Sequence, residues 1–134
     1  MKNRIKVVLD TNVLVSALWS DNGNPAAIMK LIPAVLIPCF DHTIFLEYTQ
    51  VLLRPKFDFS ARRKEELLSR LKKYGEIVSP NKSDIHFLDE SDRVFYDVAQ
   101  ASGAILITGN RRHYPAESFI MTPSDFLKKA AGTE

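Results

Sequence analysis

Three carboxylates stand where strands and helices of one sheet would bring them to a common edge. Asp10 directly follows the apolar run at residues 5–9, Glu47 lies in a helical segment after a second apolar run, and Asp92 opens a later helix. A third apolar run is followed by Thr108, Gly109 and Asn110. The functional crevice of an open parallel sheet lies beyond the carboxyl ends of its strands. We therefore expect Asp10, Glu47, Asp92 and the Asn110 position to converge.

Converging carboxylates predict a cation. Carboxylates held within several ångströms of one another repel and lose solvation, so they take up protons or bind metal ions. A hard, oxygen-ligated ion such as Mg²⁺ or Mn²⁺ is the natural counter-charge. Two such ions on one carboxylate cluster are a common device for cleaving phosphodiester bonds.

Each of these residues also has a purely structural explanation. An aspartate after a strand commonly caps the next helix, which would explain Asp10. Glu47 would be an exposed helical charge, and Asp92 would be favoured by the helix dipole in a first turn. Asn110 would form a turn with Gly109. The residues alone leave both explanations open.

The elements that position these side chains alternate along the chain. Apolar runs predict strands at residues 5–9, 35–40, 104–107 and 119–121, with a minor strand at 77–78. Apolar periodicity and capping residues predict helices at 13–19, 25–32, 43–53, 61–74, 92–101 and 123–129. This alternation predicts an α/β fold with a mostly parallel central sheet and right-handed crossovers. The length of 134 residues fits a single domain, 1–134.

Composition excludes some classes of protein. Hydrophobic residues make up 46% and charged residues 25%, which is typical of globular chains. No apolar run reaches the ~18 residues of a membrane helix, and the N-terminus has no secretory pattern. The one cysteine, Cys39, cannot form an internal disulfide and is predicted to be a buried strand residue, so we expect a cytoplasmic protein. A net charge of +2 is too small to argue nucleic-acid binding by itself.

Three segments carry a family resemblance. The stretch "VVLDTNVLVSAL" resembles the opening strand and first acid of the PIN-domain family, and "FLEYTQVLLRPKF" resembles its second-acid helix. The stretch "DESDRVFYDVAQASGAILITGN" resembles the third-acid helix, the following strand and the fourth position. The segments "RRHYP" and "IMTPSDFL" extend the similarity over nearly the whole chain. Within the family, the chain resembles bacterial and archaeal proteins described as toxins of toxin–antitoxin pairs, the VapC-like ribonucleases.

The resemblance implies a metal-dependent ribonuclease. The implied fold is a PIN-like (Rossmann-like) three-layer α/β/α sandwich, and the implied cofactor is Mg²⁺ or Mn²⁺. Asp10, Glu47 and Asp92 match the three core acids, which would be catalytic residues and metal ligands. The matching supporting positions, which would orient carboxylates and waters, are Thr11, Asn12, Ser16 and Thr108. An RNA substrate, a small protein antitoxin and a homodimer are the implied partners.

The chain departs from the family at Asn110, where many members have aspartate. An asparagine carbonyl still offers an oxygen ligand, but one negative charge is lost, which would weaken a second metal site. Asp97 is a further candidate ligand, although a regular helix places it about 140° from Asp92; Asp89 is another. The departure keeps open a catalytically weak or inactive RNA- or protein-binding domain. A phosphatase with Asp10 as nucleophile is disfavoured, because Asn12 stands where that chemistry needs a second aspartate.

Basic and aromatic residues provide candidate contacts. Four cations are predicted to hold substrate phosphates, although a solvated basic surface would explain them as well: Arg54, Lys56, Arg111 and Arg112. His113 and Tyr114 are candidates for contacting a base or sugar. Trp19 and the segment 57–59 could form an apolar strip for a partner, while a core position for Trp19 is the alternative.

Overall fold

Five short parallel strands form the centre of the molecule in the computed structural model, which describes residues 3–132. The strands lie in the order β3-β2-β1-β4-β5. Their bounds are β1 Ile5–Leu9, β2 Leu36–Phe40, β3 Glu76–Ile77, β4 Ile105–Ile107 and β5 Ile120–Met121. The helices of the described residues are α1 Thr11–Trp19, α2 Asn24–Lys30, α3 His42–Leu52, α4 Ala61–Tyr74, α5 Arg93–Ser102 and α6 Pro123–Ala130. The predicted α/β fold with a parallel sheet is confirmed.

The central strand is buried on both faces. Val7, Val8 and Leu9 have no exposed side-chain surface, and successive strand residues point to opposite faces of a sheet. Helices therefore cover both faces, which explains why the run at residues 5–9 is continuously apolar. The register pairs Leu9 with Ile107 on β4 and Ile5 with Leu36 on β2.

The parallel arrangement collects the strand ends at one edge. Asp10 follows β1, Asp41 follows β2 and Thr108 follows β4. Asp41 caps α3 by accepting a hydrogen bond from the Ile44 backbone N–H at 2.8 Å, as its position after a strand predicts. This edge is where a functional site is expected.

Local signals fixed most of the element boundaries. Ser60 and Thr122 cap α4 and α6, and Gly103 ends α5 in the left-handed conformation, with a φ of 71°. Asp89 accepts a hydrogen bond from the Ser91 N–H, and a 3₁₀ turn at Glu90–Asp92 precedes α5. Helix α1 begins at Thr11, two residues earlier than predicted, because no turn separates it from β1. Cys39 is free and fully buried.

No helix in the described part of the chain combines the length and apolarity that crossing a membrane requires.

The end of α4 predicts a specific packing defect. A Cβ at Gly75 would lie 2.4 Å from Phe40 Cε2 and 2.5 Å from the backbone oxygen of Leu71. Because a backbone atom cannot move aside cheaply, Gly75→Ala should lower the free energy of unfolding by about 1–3 kcal/mol in urea titrations. Gly23→Ala is the matched control, since its nearest neighbour is at 3.6 Å. Equal stability of the two variants would contradict this packing.

Candidate functional site

Asp10 occupies the cap position of α1 without capping the helix. Its side chain makes no hydrogen bond to the first turn. Instead, its Oδ2 accepts hydrogen bonds from the Thr108 hydroxyl at 2.8 Å and from the Tyr114 hydroxyl at 3.1 Å. The residue is only 8% exposed. The capping explanation for Asp10 is therefore wrong, and a buried carboxylate is held at the edge where the strands end.

Tyr114 is a positioning residue in the core rather than a surface ring. It is 7% exposed, and its ring packs edge-on against Phe87 at a centroid distance of 6.2 Å. Burial, followed by the charges of Asp10 and Asp92, raises the pKa of Tyr114 well above its usual range. The hydroxyl therefore stays protonated and donates to Asp10. The predicted contact of Tyr114 with a substrate base is corrected accordingly, because its ring has no exposed face to offer.

Glu47 is joined to the same edge by Thr11. The Thr11 hydroxyl donates a short hydrogen bond to Glu47 Oε2, so this half-buried glutamate is not a simple solvated charge. The neighbouring residue fixes the helix: the Tyr48 hydroxyl donates to the Leu9 backbone oxygen at 2.6 Å. This bond ties α3 to the last residue of β1. Glu47 and Asp10 are thus positioned by contacts that meet at one strand end.

Asp92 ends the 3₁₀ turn and opens α5, again without a capping hydrogen bond from its side chain. Its side chain is 15% exposed, and His113 Nδ1 lies 3.7 Å from its Oδ2. Burial, followed by the charges of Asp10 and Asp89, raises the pKa of Asp92 to about 6, while the opposing effect of His113 is smaller. A favourable helix dipole would lower the pKa of Asp92, so the dipole does not by itself explain an aspartate at this position. Asp10, Glu47 and Asp92 share one electrostatic environment.

Polar contacts link the loops around these acids. Asn12 Oδ1 accepts from the Gly109 N–H at 3.3 Å, and the Asn110 N–H donates to the Thr108 hydroxyl at 3.0 Å. Thr108 thus connects the loop after β4 to Asp10. Ser16 lies exposed on α1, one turn beyond Asn12. The Asn110 side chain is exposed.

Two candidate ligands have other partners. Asp97 is buried, and its Oδ2 accepts from the Ser83 N–H at 3.2 Å beside a polar cavity of about 310 Å³. Asp89 accepts from both the backbone N–H and the hydroxyl of Ser91. Neither carboxylate is brought into hydrogen-bonded contact with the three acids.

The three acids are not assembled into a coordination sphere. Within residues 3–132, no group of three or more histidine, cysteine, aspartate or glutamate side chains is arranged to hold a metal ion. The acids are coupled through their charges.

The four candidate phosphate contacts lie in two separate places. Arg111 and Arg112 line a cleft of about 470 Å³ together with His113, next to the acids. Arg54 and Lys56 follow the end of α3, which runs about 8 Å beyond Glu47. The Lys56 ammonium lies 5.1 Å from the centre of the Phe57 ring. The structure therefore brings only the first pair to the edge that carries the acids.

The predicted apolar strip lies at the other end of α1, where Phe57 and Phe59 are half-buried. Trp19 is 67% exposed, and its ring meets those of Phe57 and Phe59 edge-on at 6.5 and 5.5 Å. The alternative of a core position for Trp19 is wrong. We call these three side chains the aromatic patch.

Sequence reasoning missed the roles of two tyrosines. Tyr48 follows the second acid directly, and Tyr114 stands inside the "RRHYP" segment, so their positions were visible in the motifs. Their hydroxyl partners, Leu9 and Asp10, are 39 and 104 residues away along the chain. Only the folded chain reveals such pairings.

Comparisons with known proteins agree with this geometry. The family model described as "PIN domain" matches residues 6–112. An uncharacterized protein of the archaeon Methanocaldococcus jannaschii is 35% identical over 114 residues, which cover 82% of this chain and 74% of that protein. No solved structure matches the chain significantly.

PIN domains are generally nucleases, and they generally use divalent metal ions. The matched span contains all three acids and Thr108, the residue that holds the first of them. The chain therefore belongs to the PIN-domain family, and the predicted PIN-like α/β/α fold is confirmed.

Proposed function

We propose that this chain, as a single PIN domain over residues 1–134, is a metal-dependent endoribonuclease that hydrolyses RNA phosphodiester bonds. The observation that carries the proposal is the Asp10 carboxylate, which is buried and held by Thr108 and Tyr114 while leaving the helix uncapped. A buried carboxylate at the end of a central strand that does not cap the following helix is typical of a functional group.

The donor set fits a hard divalent ion by its chemistry. Asp10, Glu47 and Asp92 supply carboxylate oxygens, which Mg²⁺ and Mn²⁺ prefer. Burial first, and then the charges of Asp10 and Asp89, raise the pKa of Asp92, so a bound cation would favour its charged form. Since no coordination sphere is preassembled in the described residues, binding would have to draw these side chains together. Asn110 is proposed as a further oxygen ligand.

The chain's own residues would orient the reaction. Both hydrogen bonds to Asp10 end on Oδ2, so within the described residues Oδ1 accepts none and is left for a ligand. Thr11 fixes one oxygen of Glu47 in the same way. A bound divalent ion supplies an activated water and offsets charge on the scissile phosphate. A carboxylate of this set would then accept the proton of the attacking water.

The finer assignments rest on the motif resemblance. We propose that the protein is the toxin of a toxin–antitoxin pair of the VapC-like branch, that it acts in the cytoplasm, and that it forms a homodimer. The buried free thiol of Cys39 supports the compartment. The aromatic patch supports a protein contact, either with an antitoxin or with a second copy, because the exposed Trp19 ring extends an apolar surface formed with the half-buried Phe57 and Phe59.

Removing the Asp10 charge should abolish cleavage. In the Asp10→Asn variant, we expect the rate of Mn²⁺-dependent cleavage of an RNA panel to fall by at least about 100-fold, with a parallel loss of Mn²⁺ affinity measured by calorimetry. Asp97→Asn is the matched control: it is also a buried aspartate, but its partner is Ser83, so cleavage should persist. Cleavage that survives in Asp10→Asn would refute the proposed function. If the Asp97→Asn variant folds normally but loses cleavage, Asp97 would again be a candidate metal ligand.

Asp92 should make the metal-free protein less stable as the pH rises. A pKa of about 6 in the folded state lies above the ordinary value of 3.8, so its stabilising contribution is complete below pH 3.8 and is lost through pH 6. In EDTA at pH 7.5, we expect the free energy of unfolding of Asp92→Asn to be about 1–2 kcal/mol higher than that of the wild type. This difference in the free energy of unfolding should shrink towards pH 4. Urea titrations at both pH values measure it. A gap that is independent of pH would contradict the coupling.

The second candidate function is a non-catalytic RNA- or protein-binding domain. The exposed amide at Asn110, where many family members carry aspartate, favours it, together with the absence of a preassembled metal group in residues 3–132. If the missing charge limits catalysis, Asn110→Asp should raise Mn²⁺ affinity and increase cleavage at low Mn²⁺ by about tenfold. If the wild type and the Asn110→Asp variant both bind RNA but neither cleaves it, the second candidate function would be established.

A further inference from the structure

A cleft adjoins the acids on the side of the loop after β4. It has a volume of about 470 Å³, and its lining includes Leu88, Asn110, Arg111, Arg112 and His113. This size lies within the range of small-ligand sites, roughly 300–1,000 Å³. His113 connects the cleft to Asp92 at 3.7 Å, and Asn110 connects it to Thr108 at 3.0 Å. The cleft is therefore joined to Asp92 through His113 and to Asp10 through Asn110 and Thr108.

The cleft carries positive charge that the protein does not neutralise. The side chains of Arg111 and Arg112 are exposed, and neither forms an ion pair with a carboxylate of residues 3–132. Guanidinium groups bind phosphate oxygens through paired N–H donors. Arg111 and Arg112 therefore suit the binding of one phosphate of a nucleic acid strand, with the next phosphate of the strand lying at the acids.

The cleft also carries an exposed apolar side chain. Leu88 is 92% exposed, whereas the preceding Phe87 is buried against Tyr96 and Tyr114, with ring centroids at 5.7 and 6.2 Å. Phe87 therefore anchors the loop while Leu88 is left in solvent at the cleft. The imidazole of His113 is 55% exposed on the same cleft. An apolar side chain and a flat ring suit the face of a nucleobase.

We propose that this cleft, named here the nucleotide cleft, binds one unpaired nucleotide of a single-stranded RNA next to the scissile phosphate. Arg111 and Arg112 hold its phosphate, while Leu88 and His113 contact its base. A base within a duplex is stacked on its neighbours and cannot enter such a site, so the substrate is single-stranded at this position. This inference rests on the proposed function, because the scissile phosphate is defined by the acids.

The other basic pair provides an internal control. Arg54 and Lys56 are equally exposed, but they follow the far end of α3, where Lys56 is stacked over Phe57. A contribution from charge alone would be equal for the two pairs. A contribution from the nucleotide cleft requires Arg111 and Arg112 only.

The test measures binding of a fluorescent 12-nucleotide RNA by anisotropy in EDTA, as single strand and as duplex, over a range of salt concentrations. For Arg111→Ala/Arg112→Ala, we expect about tenfold weaker single-strand binding and a salt slope lower by about 0.7, the value for the loss of one neutralised phosphate of a single strand. Arg54→Ala/Lys56→Ala should change the affinity less than twofold. Leu88→Ser should weaken single-strand binding several-fold without changing the salt slope.

The outcomes separate this inference from the proposed function. Equal losses in the two double variants, or duplex binding as tight as single-strand binding, would overturn the nucleotide cleft even if the wild type cleaves RNA with Mn²⁺. A wild type that cleaves no RNA would overturn the proposed function, while the binding pattern in EDTA would still decide whether the cleft holds a nucleotide. The substituted side chains are all exposed, so circular dichroism melts of the variants should match the wild type.

Discussion

One buried carboxylate organises the edge of the sheet. A charge such as that of Asp10 is costly to bury unless hydrogen bonds replace the lost water. Thr108 and Tyr114 supply those bonds, both to Oδ2. Because Thr108 follows the neighbouring strand and Tyr114 lies six residues later, the carboxylate draws the whole loop after β4 towards the end of β1. Hydrogen bonds to charged groups contribute about 1.5–3 kcal/mol each, enough to fix such a loop.

The remaining geometry follows from the register of the strands. Pairing Leu9 with Ile107 places Asp10 beside Thr108 without any special turn, and the Asp10 N–H continues the ladder by donating to the Ile107 oxygen at 3.0 Å. The Tyr48 bond to the Leu9 oxygen then sets the depth of α3, and with it the position of Glu47. A register slip by one residue would turn Asp10 to the opposite face. The candidate site residues Asp10 and Glu47 are therefore positioned by the core itself.

Apolar runs and capping residues were sufficient to predict the strands, the parallel sheet and the edge where its strands end. Each of these signals depends on residues close together in the sequence, so it can be recognised without knowledge of the fold. The role of Tyr114 was not predictable, because its burial depends on Phe87, 27 residues earlier, and an aromatic residue after three basic residues suggests a surface. Charge in the sequence also could not distinguish Arg54 from Arg111, since only the direction of α3 assigns them to different ends of the molecule.

No arginine of residues 3–132 pairs with Asp92, which leaves the negative charge of the acids available to a metal cation. Arg93 directly follows Asp92, yet its guanidinium pairs with Glu90 and donates to the Ser83 oxygen at 2.6 Å. His113, at 3.7 Å, lowers the pKa of Asp92 less than burial and the other acids raise it. An arginine paired with Asp92 would neutralise the cluster permanently and remove its affinity for a metal ion. Because no guanidinium in the described part of the chain pairs with Asp92, negative charge is left for a cation, while Arg111 and Arg112 leave positive charge for a phosphate in the neighbouring cleft.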